Sequence, residues 1–194
     1  MIRAVALATA ILLGAWAHVA EAVPIVYLGT LQSGVPVTDT IQDGGPNNPL
    51  LADYWQFTLT EAAQVTITGH RLEGGLDAAF WLFRGTFADT DQFGGNLGTG
   101  PIAELDFGDD ELPPAIAGPF GDPFSSLQLP EGTYTIAFVS YLNSGNGPWG
   151  YCLELNGPAT NCSDRQVPIP ATLALLGLGV GTIGMVRRLR YGRF

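Results

Sequence analysis

Four carboxylates crowd into the six residues Asp106-Phe107-Gly108-Asp109-Asp110-Glu111. Calcium takes six to eight oxygen ligands at about 2.3–2.6 Å, so several carboxylates on one bent loop are the right chemistry for it. Gly108 is expected to let the loop turn without steric cost. The same carboxylates also read as solvated loop residues of an acidic protein, and both readings stay open. No EF-hand spacing is present: Asp89-Thr90-Asp91-Gln92-Phe93-Gly94 puts Phe93 where a third ligand belongs. Cys152 and Cys162 are the only cysteines. Joined as a disulfide, they would close a short loop and stabilise the fold by about 2–3 kcal/mol. Two free thiols or a two-Cys metal site are the alternatives. Tyr141 and Trp149 flank Gly145-Asn146-Gly147-Pro148, where they either stack on sugar rings or form the rim of a core.

Catalytic patterns are missing. There is no G-x-S-x-G elbow, H-E-x-x-H pair or P-loop. His70 falls at the polar phase of the Val65/Ile67 segment, which predicts a surface residue. Acidic residues are numerous enough that two lie close together by abundance alone, so proximity does not argue for a glycosidase pair.

The elements that must position these side chains read as strands. In Asp53-Tyr54-Trp55-Gln56-Phe57-Thr58-Leu59, the residues Trp55, Phe57 and Leu59 share one face. Gln64 to Thr68 alternates in the same way. Ala78 to Phe83 is apolar throughout, as a strand covered on both faces should be. Further strands are predicted at 23–31, with Pro24 marking an edge, and at 102–107, 126–129, 133–139 and 151–155. Asp43 to Pro49 is a loop on its Gly, Pro and Asn content. Eight or nine short strands without a helical period predict an all-β fold, an antiparallel, jelly-roll-like β-sandwich.

Both ends of the chain look like addresses. Arg3, the apolar run Ala4–Trp16 and Ala20-Glu21-Ala22 fit a signal peptide over residues 1–22, cut by signal peptidase after Ala22, with Ala15-Trp16-Ala17 the alternative site. At the other end, Ala171 to Val186 carries no charge, and Arg187, Arg188, Arg190 and Arg193 follow it. As a helix those 16 residues would span about 24 Å, short of the roughly 30 Å hydrocarbon core, so the segment is a marginal membrane span with a cytoplasmic Arg stop. One domain, 23–166, lies between. It holds 17 Asp and Glu against three Arg, a net charge of −14, and the chain has no Lys. Such a surface repels nucleic acid and attracts cations.

Val167-Pro168-Ile169-Pro170-Ala171, the apolar run and the Arg cluster together resemble the PEP-CTERM sorting signal of exported bacterial proteins. Ile169 stands where that family has Glu. The resemblance implies a transient stay in the inner membrane and cleavage near the box by a membrane-embedded exosortase. It assigns 167–194 to sorting and says nothing of activity. A second likeness covers about residues 50–157. Asp53-Tyr54-Trp55-Gln56-Phe57, Gly75-Leu76-Asp77-Ala78-Ala79-Phe80-Trp81-Leu82-Phe83, Leu129-Pro130-Glu131-Gly132-Thr133-Tyr134 and Gly150-Tyr151-Cys152-Leu153-Glu154-Leu155 resemble the bacterial pre-peptidase C-terminal domain. That family implies a non-catalytic sandwich, and in some relatives acidic loops bind calcium. Asp77, Asp109 and Asp110 match those positions. The expected protein is secreted or surface-displayed, a structural or interaction component of the envelope or extracellular matrix. The alternative is a calcium-assisted carbohydrate-binding module whose partner is extracellular polysaccharide.

Overall fold

The computed structural model describes residues 22–114, 116–142, 146–157 and Cys162. Among these the chain is all-β, with nine strands and one four-residue 3-10 turn. The strands are β1 (Tyr27–Thr30), β2 (Val37–Ile41), β3 (Asp53–Leu59), β4 (Ala63–Arg71), β5 (Ala78–Arg84), β6 (Asp106–Gly108), β7 (Phe124–Leu129), β8 (Gly132–Ser140) and β9 (Trp149–Leu155). They form a five-stranded sheet in the order β1-β3-β8-β5-β6 and a four-stranded sheet in the order β2-β9-β4-β7. This is the expected β-sandwich. No helix among the described residues is long and apolar enough to cross a membrane. Nearly all of the proposed signal peptide, and all of 167–194 with its Pro box, apolar run and Arg cluster, lie outside the described residues.

The period of two builds the layers. Trp55 and Phe57 of β3, Phe80 and Leu82 of β5, and Ile136 and Phe138 of β8 face Val65, Ile67, Tyr151 and Leu153 of the second sheet. Burying one such side chain contributes roughly 1.5–3 kcal/mol, so this inner cluster dominates any single polar contact. β5 is covered on its other face too. Phe87, Phe93 and Leu97 close over Ala79 and Phe83 to make a second cluster. Phe93 ends the 3-10 turn Thr90–Phe93, whose capping box joins the Asp89 carboxylate to the Gln92 N–H and the Gln92 side chain to the Asp89 N–H. The first carboxylate of the Asp89–Gly94 run thus serves as the cap of this turn.

The strands depart from the sequence expectations in four places. β1 is an edge strand, but it pairs with β3 in parallel, so the sheets are not wholly antiparallel. β2 has no sequence counterpart above, because Val37-Thr38-Asp39-Thr40-Ile41 is apolar only at its ends. Of the predicted strand 102–107, only Asp106 and Phe107 fall in the observed strand, which runs on to Gly108 and pairs with Leu82, Trp81 and Phe80 of β5. Gly108 sits in that strand rather than at a turn, and a Cβ there would meet the Phe80 ring at 2.6 Å. It permits close approach of a ring, not a bend.

Candidate metal centre

Antiparallel pairing of β5 with β6 brings the start of one to the end of the other. Asp77 immediately precedes β5, and Asp109 and Asp110 immediately follow β6. One carboxylate oxygen from each lies within 4.8 Å of the others. The three residues assigned by family likeness therefore meet at one sheet edge, although Asp77 is 32 positions from Asp109.

Their environments differ. Asp77 is only 5% exposed, and its Oδ1 has no hydrogen-bond partner. Oδ1 of Asp109 is also buried and unpartnered. Asp110 is exposed, and its Oδ1 accepts from Gly121 N at 2.5 Å. Burial pushes the Asp77 carboxyl up to about 6, the Asp110 charge adds to the rise, and the Arg71 guanidinium opposes it. Burial likewise pushes Asp109 up to about 7, with the charges of Asp110, Asp77 and Glu111 adding. An ionised buried carboxylate without a partner is costly, and a divalent cation is one agent that removes the cost.

The rest of the acidic loop has other work. Glu111 Oε2 accepts from Asp109 N at 2.8 Å and from Phe124 N at 3.0 Å, pinning both ends of the segment 109–124. Asp106 accepts from Ser125 Oγ and from Phe107 N. Leu112 and Asp122 exchange both backbone hydrogen bonds at 3.0 Å and close the neck of that segment. Three carboxylates remain for an ion, and all three donors are oxygen, a set that suits hard cations such as calcium.

His70 corrects the sequence expectation. It is buried at 4% exposure, and its Nδ1 lies 3.1 Å from Asp122 Oδ2. By alternation it lies opposite Val65 and Ile67, and Asp122, which continues the line of β7 alongside β4 where Gly69 N donates to the Pro123 carbonyl at 2.9 Å, meets its ring. Arg71, wholly buried, shares the same carboxylate: its N–H donates to Asp122 Oδ1 at 3.3 Å and its Nε stands 3.6 Å away. Its guanidinium also donates to the Leu76 carbonyl at 3.5 Å and the Ile116 carbonyl at 3.1 Å. The clasp thus holds both the approach to Asp77 and the loop after Asp110. Sequence reasoning missed it because Asp122 sits between Gly121 and Pro123, with no periodic signal.

Cys152 and Cys162 are bonded, with 5.8 Å between Cα atoms, and both are fully buried. Tyr141 and Trp149 do not form one surface. Tyr141 packs against the outer cluster and Trp149 against the inner one, where its Nε1 donates to Asp43 Oδ1 at 2.9 Å. A further polar chain crosses between the sheets: Trp55 Nε1 donates to Tyr151 OH, which donates to Asp53 Oδ2, each at 2.9 Å.

No family matches the chain, and no curated protein does. Among solved structures, the pre-peptidase C-terminal domain of the Bacillus anthracis collagenase is similar at 14% identity and a TM-score of 0.43, over 68% of this chain and 97% of that one. CorA, a surface-associated copper-binding protein of Methylomicrobium album BG8, is similar at 14% identity and a TM-score of 0.47, over 68% and 98%. The secreted Methylococcus capsulatus protein MopE is similar at 12% identity and a TM-score of 0.45, over 67% and 87%. At these scores the likenesses carry no argument about chemistry.

Proposed function

We propose that this chain is an exported, non-catalytic structural or interaction protein of the cell envelope or extracellular matrix, braced by calcium at Asp77, Asp109 and Asp110. One observation carries the reading of the site: the Asp77 carboxylate is 5% exposed, lacks a partner for Oδ1, and is gathered with two other carboxylates within 4.8 Å. A glycosidase reading fits these three poorly. Its two carboxyls flank a bound sugar about 5–5.5 or 6.5–9.5 Å apart, whereas here Asp77 is covered and the cluster is tighter. His70, the one imidazole outside the leader, is enclosed with Asp122, which does not suit a general base acting on an external substrate.

Export is supported by the buried disulfide, which suits an oxidising compartment, and by the leader-like residues 1–22. Sorting through Val167–Ala171 and the Arg cluster is part of the same proposal. Intact mass of the protein from the exported fraction is expected to place the N-terminus at Val23 and the C-terminus near the Pro box. Recovery with both ends uncut would count against the proposed processing. For the site itself, Tb³⁺ substitutes for calcium and emits when nearby aromatic rings are excited. Emission competed away by calcium and absent from Asp109→Asn/Asp110→Asn is the expected result. Unchanged emission in that variant would reject the site.

A further inference from the structure

Strand register puts more than carboxylates beside the metal centre. β5 and β6 pair Trp81 with Phe107, two positions from Ala79 and Asp109 respectively. β5 and β8 pair Ala79 with Val139, so Tyr141 continues opposite Asp77, whose carbonyl accepts the Tyr141 N–H at 2.6 Å. With a period of two, Asp77, Trp81, Phe107, Asp109 and Tyr141 belong to one face, the outer face of the five-stranded sheet. The rings touch in a row: Trp81 and Phe107 have centroids 4.2 Å apart, and Phe107 and Tyr141 6.0 Å. All three remain partly exposed, and Leu105 and Leu142, each 43% exposed, extend the apolar surface. The row is held in place, since Trp81 Nε1 donates to the Pro46 carbonyl at 2.8 Å.

Fixed, partly exposed rings ending at a cluster of oxygen ligands match the two surfaces of a sugar. Its C–H faces lie on rings, and its hydroxyls take up coordination positions that three carboxylates leave open on a calcium ion. Charge narrows the class. Arg71 is buried, and Arg84 ends β5 away from Asp77 and in the opposite phase to Trp81, so neither belongs to the strip, while the net charge of the domain repels polyanions. We propose that Trp81, Phe107 and Tyr141 form a docking strip for a neutral polysaccharide, with the metal centre at its end. The metal-assisted part rests on the calcium reading; stacking on the rings does not.

Affinity electrophoresis of the exported protein through gels containing hydroxyethylcellulose, laminarin or galactomannan, with calcium or with EDTA, tests this. At least one polymer is expected to retard the protein, more strongly with calcium. Phe107→Ala and Tyr141→Ala are each expected to weaken retardation about tenfold, the loss of a ring hot spot, while Tb³⁺ emission persists. Phe107→Leu and Tyr141→Leu keep the apolar packing and provide the same comparison should the Ala variants fail to fold. No retardation by any of the three polymers, or unchanged retardation in folded ring variants, overturns the strip. Retardation without Tb³⁺ binding overturns the metal centre and leaves the strip standing.

Discussion

Water stabilises a carboxylate, and Asp77 and Asp109 have lost much of it. Both therefore hold a proton in the folded chain up to about pH 6 and about pH 7, against about 3.9 in the unfolded chain. Asp53, bonded to Tyr151, is also pushed up by burial, to about 6. Between those values the folded state binds more protons than the unfolded one, so stability must fall as pH rises. The contribution of these groups is complete below about pH 4 and lost as pH passes through 6 to 7. In EDTA, the melting temperature should be lower at pH 8 than at pH 5.5. Asp109→Asn should raise it at pH 8, because the amide carries no charge to desolvate. Calcium needs the deprotonated form, so its stabilising effect should be weak at pH 5 and full at pH 8. A calcium effect equal at both pH values would contradict this.

Two tethers differ in strength, the Asp122 clasp beside the centre and the disulfide that ties β9 to Cys162. Removing Asp122 leaves the buried Arg71 guanidinium and His70 without their shared carboxylate, a loss of about 3–5 kcal/mol for a buried pair. Removing the Cys152–Cys162 bond opens a ten-residue separation, worth about 2–3 kcal/mol. Urea unfolding should therefore show Asp122→Ala shifting the midpoint further than Cys152→Ser/Cys162→Ser. The reverse order would contradict the greater strength of the clasp. The sequence makes the β3, β5 and β8 strands legible, because alternation or continuous apolar character at Trp55-Gln56-Phe57, Ala78–Phe83 and Thr133–Val139 is local. β2 is illegible, since its threonines and Asp39 hide the pattern. The clasp is illegible for another reason: His70 and Asp122 are joined only by tertiary folding. Asp109 and Asp110 stand out in their own loop, whereas Asp77 enters the site only through family likeness and the β5–β6 register.

Across the whole molecule, a domain of net charge −14 folds with three carboxylates gathered at one sheet edge. Like charges at such range oppose folding unless a proton or a cation intervenes. An ion that binds only the folded form stabilises it by RT ln(1 + [L]/Kd), about 2.7 kcal/mol at a hundredfold excess over Kd. For a domain of this size that corresponds to a rise of roughly 5–11 °C in melting temperature. Calorimetry of the exported protein at pH 8, in calcium and in EDTA, measures this directly. The expected result is a rise of several degrees in calcium that disappears in Asp109→Asn/Asp110→Asn. Equal melting in calcium and EDTA would contradict the metal centre and leave Asp77, Asp109 and Asp110 as three acids gathered at a sheet edge without an ion.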